Sequence, residues 1–233
     1  MDESEAKTTE LVIPFEDKSK DFFTGLLETL KLVLFQPTTF FRNYKLDNPI
    51  GRSLLFAVII GWFAAIVDII WGMVINRSMF TYFKENFSKF EEYFPELEGF
   101  DFSQFESVGA WESLQSIIGI IIAPFMVLLF VFIFAGLFHL FLMMVKGANK
   151  NFETTINIVA YGMAASIFKV LPFCGQLVYY VYWVILSIIG LTETHKTDSW
   201  KAVFAVIAPF LLCCLCCVMV VFLIVSTGIL ATQ

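Results

Sequence analysis

The chain has 233 residues, of which 58% are hydrophobic and 15% charged, well below the quarter or so of charged residues usual in a soluble domain. The formal net charge of −6 argues against a basic nucleic-acid binder. The apolar residues stand in long blocks rather than in periodic stripes, which excludes a soluble enzyme and points to an all-α, polytopic membrane bundle.

Residues 1–20 are polar and acid-rich, without the apolar core and basic start of a secretory signal, so the first span is expected to act as its own insertion signal. From Asp21 to Phe35 the residues Phe22, Phe23, Leu26, Leu27, Leu30, Val33 and Leu34 recur at helical spacing opposite Glu28 and Lys31. This segment is too short to span and is expected to lie on the membrane surface as an amphipathic helix. Gln36 and Pro37 stop it, and Pro37 opens a second short segment with Phe40, Phe41, Arg42 and Tyr44, so that residues 21–49 form an interfacial anchor.

Asn48 and Pro49 read as a helix cap with proline at the first helical position, launching a first span over about residues 50–75. Further spans follow over about 117–145, 154–171, 173–191 and 200–229, which places a five-span membrane domain over residues 50–231. The tight turn at Pro172 makes the third and fourth spans an antiparallel hairpin. Between the first two spans, residues 76–116 form an outer loop with eight acids against Arg77, Lys84 and Lys89. In it Phe80, Phe83, Phe87, Phe90 and Phe94 recur every three or four residues, predicting a second, extracytoplasmic amphipathic helix that caps the bundle or offers a docking surface.

Basic residues set the orientation. Lys31, Arg42, Lys45 and Arg52 precede the first span, Lys146 and Lys150 follow the second, and Lys196 and Lys201 flank the start of the fifth. With five spans all lie on one side, which predicts a cytoplasmic N-terminus and an extracytoplasmic C-terminus.

The candidate site residues are the polar groups within the spans. Asp68, in the outer half of the first span, is placed to pair with Lys169 near the outer end of the third, either as a structural ion pair or on an ion or proton pathway. His139 lies at a depth similar to Asn157, in a small polar cluster or held by a nearby hydroxyl or carbonyl. Tyr161 stands a turn further along the third span. His195 falls in a polar loop and is expected to be solvated. Cys213, Cys214, Cys216 and Cys217 are spaced like metal or redox pairs, but near the middle of a span they read as small packing residues. Catalytic, cofactor-binding and metal-binding residues are not expected: nucleotide-binding glycine loops, catalytic serine motifs and zinc-type spacing are all missing.

The segment Phe35-Gln36-Pro37-Thr38-Thr39-Phe40, Ala160-Tyr161-Gly162 in the third span, Leu171-Pro172 at the tight turn and Gly190-Leu191 through Lys201 resemble the Yip family. Members are named for interaction with Ypt/Rab GTPases, and the similarity is greatest to the prokaryotic-type ones. The resemblance covers about residues 22–229 and implies a five-span, N-inside membrane protein with relatives in vesicle traffic and membrane shaping. The chain differs from the eukaryotic pattern in its short N-terminal region and long acidic loop. The expectation is therefore a non-enzymatic membrane organiser or scaffold, without cofactor, in a prokaryotic plasma membrane. Its expected partners are the lipid bilayer, an unidentified membrane or peripheral protein, and further copies of itself. The alternative is a small transporter or channel, for ions or lipid, lined by Asp68, Lys169, His139 and Asn157.

Overall fold

The computed structural model describes the backbone of residues 11–44, 46, 49–93 and 108–231, together with their side chains except at 76–93, 108–114, 117, 221 and 223–231. Helix α1, Phe22–Phe35, opens on Asp21, whose carboxylate accepts from the N–H groups of Phe23 at 3.2 Å and Thr24 at 3.4 Å. Helix α2, Pro37–Asn43, follows with proline at its first turn. Helix α1 buries Leu26, Thr29, Val33 and Leu34 against the protein and exposes Phe23, Leu27 and Phe35.

The first membrane-capable helix is α3, Gly51–Tyr93, with its apolar stretch at Gly51–Ile75. Its start lies two residues past Pro49, and Asn48, expected as its cap, lies outside the described residues. Helix α3 runs without a break through Tyr93, so the amphipathic segment of the outer loop continues the first span in place of forming a separate helix. Phe80, Phe83, Phe87 and Phe90 fall on that extension, while Phe94 and the side chains of all five lie outside the described residues.

Helix α4, Val108–Met144, has its apolar stretch at Ile118–Met144 and carries Pro124 inside it. Proline has no N–H, so in a regular helix the carbonyl four residues earlier, that of Ile120, loses its intrahelical donor. The indole N–H of Trp62 on α3 donates to that carbonyl at 2.9 Å, which satisfies it where lipid could not. Next to this bond Gly61 lets α3 approach Val127 closely; a Cβ there would stand 2.6 Å from a Val127 methyl. Trp62→Phe is therefore expected to destabilise by about 1–2 kcal/mol, and the loss should vanish in a Pro124→Ala background, where the helix supplies its own donor. An equal loss in both backgrounds, in SDS-titration unfolding, would refute this account.

Two further helices have membrane-capable stretches: α6, Gly175–His195, and α7, Ser199–Ala231, over Ser199–Val220. Among the described residues four helices thus have the length and apolarity to cross a bilayer. The remaining expected span, 154–171, falls on α5, Phe152–Gly162, and a 3-10 helix, Met163–Val170.

This composite segment runs parallel to α3 and in register with it. Asn157 meets Ser53, Tyr161 packs on Phe56 with ring centroids 5.2 Å apart, Lys169 reaches Asp68 at 2.6 Å, and Trp71 donates to the Val170 carbonyl at 3.3 Å. From Ser53 to Trp71 the α-helical rise is about 27 Å. An α-helix from Asn157 to Val170 would rise only about 20 Å, and the narrower, more extended 3-10 stretch brings it to about 24 Å, which keeps Lys169 level with Asp68. Small buried residues, Ala164, Ala165 and Ser166, form the first part of that stretch, where side chains three apart eclipse.

The two basic turns meet at one end of the bundle. Asn149 donates to the carbonyl of His195 at 2.9 Å, and Arg42 forms a two-pronged ion pair with Glu193 at 2.8 and 2.9 Å. The hydrogen bonds that Arg42 donates to Glu193 push the guanidinium pKa still further above its ordinary value. The polar tail expected over residues 1–20 is, from Leu11 on, a packed strap. The N–H of Leu11 donates to Asn43 O at 3.0 Å and that of Phe15 to Thr29 Oγ1 at 3.0 Å, and Ile13 and Phe15 are buried. Gly25 admits it: a Cβ there would lie 2.6 Å from the Pro14 carbonyl oxygen.

Candidate functional site

The polar side chains gather on α5 and the 3-10 helix, which sit at the centre of the bundle between α3, α4 and α6. Asn151 caps α5 by accepting from the N–H of Thr154 at 3.2 Å, which aims the first turn so that Thr155 and Asn157 point into protein. A polar group there must find a partner among neighbouring helices, because neither lipid nor water reaches it.

Asn157 does so twice. Its Nδ2 donates to the Leu46 carbonyl at 2.7 Å and its Oδ1 accepts from the Ser53 hydroxyl, tying α5 to the start of α3 and the segment before it. Tyr161, fully buried, donates its hydroxyl to Glu16 Oε1 of the N-terminal strap at 2.7 Å. At the far end Lys169 pairs with Asp68 through Oδ2 and lies 4.7 Å from the ring centre of Tyr179. The Lys169 side chain is 15% exposed and that of Asp68 42%. The pair also lines a cavity of about 260 Å³ between α3, α4, the 3-10 helix and α6.

His139 does not meet Asn157. Its Nδ1 lies 2.8 Å from Thr155 Oγ1, which in turn lies 3.1 Å from Nε2 of His195. His195, expected to be solvated, is completely buried as the last residue of α6. The turn after α4 folds over it, and the N–H of Lys150 donates to its Nδ1 at 3.2 Å. In the neutral ring Nδ1 is thereby the acceptor and Nε2 carries the proton, so His195 donates to Thr155 and the Thr155 hydroxyl is left to donate to His139. Thr155→Val, of nearly equal size, would face both rings with a methyl and should cost about 1–3 kcal/mol in SDS-titration unfolding. A neutral result would show that the hydroxyl is not what orients the two rings.

The polar residues thus fall into distinct groupings along α5 and the 3-10 helix: Thr155 with the histidines, Asn157 with Ser53, Tyr161 with Glu16, and Lys169 with Asp68. Sequence reasoning missed Glu16, Ser53, Thr155 and His195. Of these only Ser53 carried a usable signal, as a small polar residue inside an apolar block facing Asn157 at matched depth. The cysteine reading is also corrected. After Pro209 helix α7 leaves the bundle, every residue from 211 to 220 is exposed, and Cys213, Cys214, Cys216 and Cys217 face outward as free thiols without packing in the core. Among the described residues there is no group of three or more metal-ligating side chains.

A helical bundle with four membrane-capable helices and polar groups satisfied between helices is a multi-pass integral membrane protein. Its sequence matches the Yip1 domain family model over residues 31–221. The chain belongs to the Yip1 domain family. No characterised protein and no solved structure matches it.

Proposed function

We propose that this Yip1 family member is a non-enzymatic membrane organiser: a five-span bundle, amino terminus in the cytoplasm, that holds an apolar wedge in one leaflet of a prokaryotic plasma membrane. The observation that carries the reading is the docking of α1. Tyr182, whose hydroxyl donates to the Leu34 carbonyl, stands about 20 Å up α6 from His195. Helix α1 therefore docks partway along a span, with Phe23, Leu27 and Phe35 directed away from the protein. A rigidly held helix with such a face displaces lipid on one side of the bilayer only.

The fifth span is supported by the register of α5 and the 3-10 helix with α3. The orientation is supported by the meeting of the basic turns with Arg42 at one end. Absence of catalysis is the economical reading of polar groups spent on one another.

The test is reconstitution of the full chain into liposomes at rising protein-to-lipid ratio, with vesicle diameter read by electron microscopy. The wild type is expected to shrink or tubulate the vesicles, and the triple variant Phe23→Ser, Leu27→Ser, Phe35→Ser to insert normally without doing so. Equal remodelling by both proteins, or by neither, would remove the wedge. Protein docking on the outer region 76–116 is the second limb of the proposal. It predicts a partner that co-purifies after mild detergent extraction and is lost when that region is deleted.

A further inference from the structure

The cavity beside Asp68 has two unlike ends. Its floor is lined by Ala64 and Ala65 of α3 and Ala123 of α4, small side chains that leave the space open. Its rim carries Asp68, Lys169 and Tyr180. By helical rise Asp68 stands about 25 Å along α3 from Gly51, close to the thickness of a hydrocarbon core. Trp71, Tyr179 and Tyr180 share that level, as aromatic residues do where a span meets the headgroups. The rim therefore lies at headgroup height and the floor at acyl-chain height.

The charge at the rim is dipolar and only partly spent. Lys169 bonds one oxygen of the Asp68 carboxylate, Oδ2, and uses one of its three donors in doing so. Asp68, the more exposed partner, keeps its second carboxylate oxygen for another donor, while Lys169, 4.7 Å from the centre of the Tyr179 ring, lines the cavity as its cation. A group that complements both carries an ammonium able to donate hydrogen bonds and an adjoining anionic oxygen. Attached to an apolar chain, that is an aminophospholipid. The surrounding bilayer supplies chains that can enter the floor, and the primary ammonium of an ethanolamine headgroup fits Asp68 where an uncharged glycerol headgroup does not.

We propose that this cavity is a binding site for a phosphatidylethanolamine-type lipid of the leaflet at this end of the bundle, with its ammonium on Asp68, its phosphate on Lys169 and part of one acyl chain over Ala64, Ala65 and Ala123. The site does not rest on the α1 wedge: its lining belongs to α3, α4, the 3-10 helix and α6, and the variants that test it leave Phe23, Leu27 and Phe35 unchanged.

The full chain, purified in mild detergent and offered equal phosphatidylethanolamine and phosphatidylglycerol, is examined by native mass spectrometry for retained lipid. Wild type is expected to hold one phosphatidylethanolamine in at least tenfold preference. Asp68→Asn should lose the preference, Asp68→Glu should keep it, and Ala65→Leu should reduce retention of both lipids while leaving the ion pair in place. Thermal unfolding of each variant reports whether it is folded. Equal retention of the two lipids by wild type overturns the proposal without recourse to any variant. Retention that is indifferent to both Asp68→Asn and Ala65→Leu overturns it as well, and marks the lipid as adventitious.

Discussion

Trp183→Ala is expected to destabilise the bundle by about 2–3 kcal/mol, less than the 3–5 typical of a buried tryptophan in a water-soluble core. Trp183 is 1% exposed and packs on Phe130, Phe134 and Phe138 with ring centroids 5.1–5.6 Å away. In a membrane the unfolded reference already places the indole in lipid, so little transfer free energy is lost and the cost is that of the cavity and the broken aromatic contacts. The indole N–H adds a second test. It is buried with no hydrogen-bond acceptor among the described residues, and it faces Gly162, where a Cβ would stand 3.6 Å from it. Trp183→Phe removes that unpaired donor together with some packing volume, so the two effects offset and the net cost should stay below about 1 kcal/mol. Were Trp183→Phe as damaging as Trp183→Ala in SDS-titration unfolding, the N–H would have to be bonded and the packing account would be wrong.

The segment formed by α5 and the 3-10 helix was the hardest to read from the sequence, for a physical reason. The apolar blocks of α3, α4 and α6 lie within a few residues of their expected limits because those helices face lipid, and lipid selects for hydropathy directly. The segment containing Thr155, Asn157, Tyr161, Ser166 and Lys169 faces protein on its several sides, so it can carry polar groups that lower its hydropathy. Its 3-10 stretch also hides its true length. Asp68 and Lys169 were legible because an intramembrane charge demands a partner, and residue counting put the two at similar depth. His195 was not, since its burial depends on how the turn after α4 folds across another helix. Nor was the strap, where Ile13 and Phe15 are embedded in a polar, acidic stretch whose composition reads as solvated. The bond from Trp62 to Ile120 could have been anticipated from Pro124, which names the carbonyl it orphans, although nothing local says which donor will reach it.

Asp68→Ala should cost about 2–3 kcal/mol, and Lys169→Met clearly less, because the two partners are unequally buried. Deleting Asp68 strands an ammonium whose side chain is 15% exposed, whereas deleting Lys169 leaves a carboxylate whose side chain is 42% exposed and less enclosed by protein. Losing a partner from a fully buried pair typically costs 3–5 kcal/mol, and the exposure of Asp68 sets this pair below that range. The double variant Asp68→Ala, Lys169→Met strands no charge. It should recover most of the loss, leaving a coupling of about 1–2 kcal/mol in a double-mutant cycle. The decisive comparison is the order of the two single variants in SDS-titration unfolding. If Lys169→Met is the more damaging, Lys169 has a larger role than neutralising Asp68, such as its contact with the Tyr179 ring. If the double variant is as unstable as the two singles added together, the groups act independently and the ion pair contributes nothing to holding the 3-10 helix against α3.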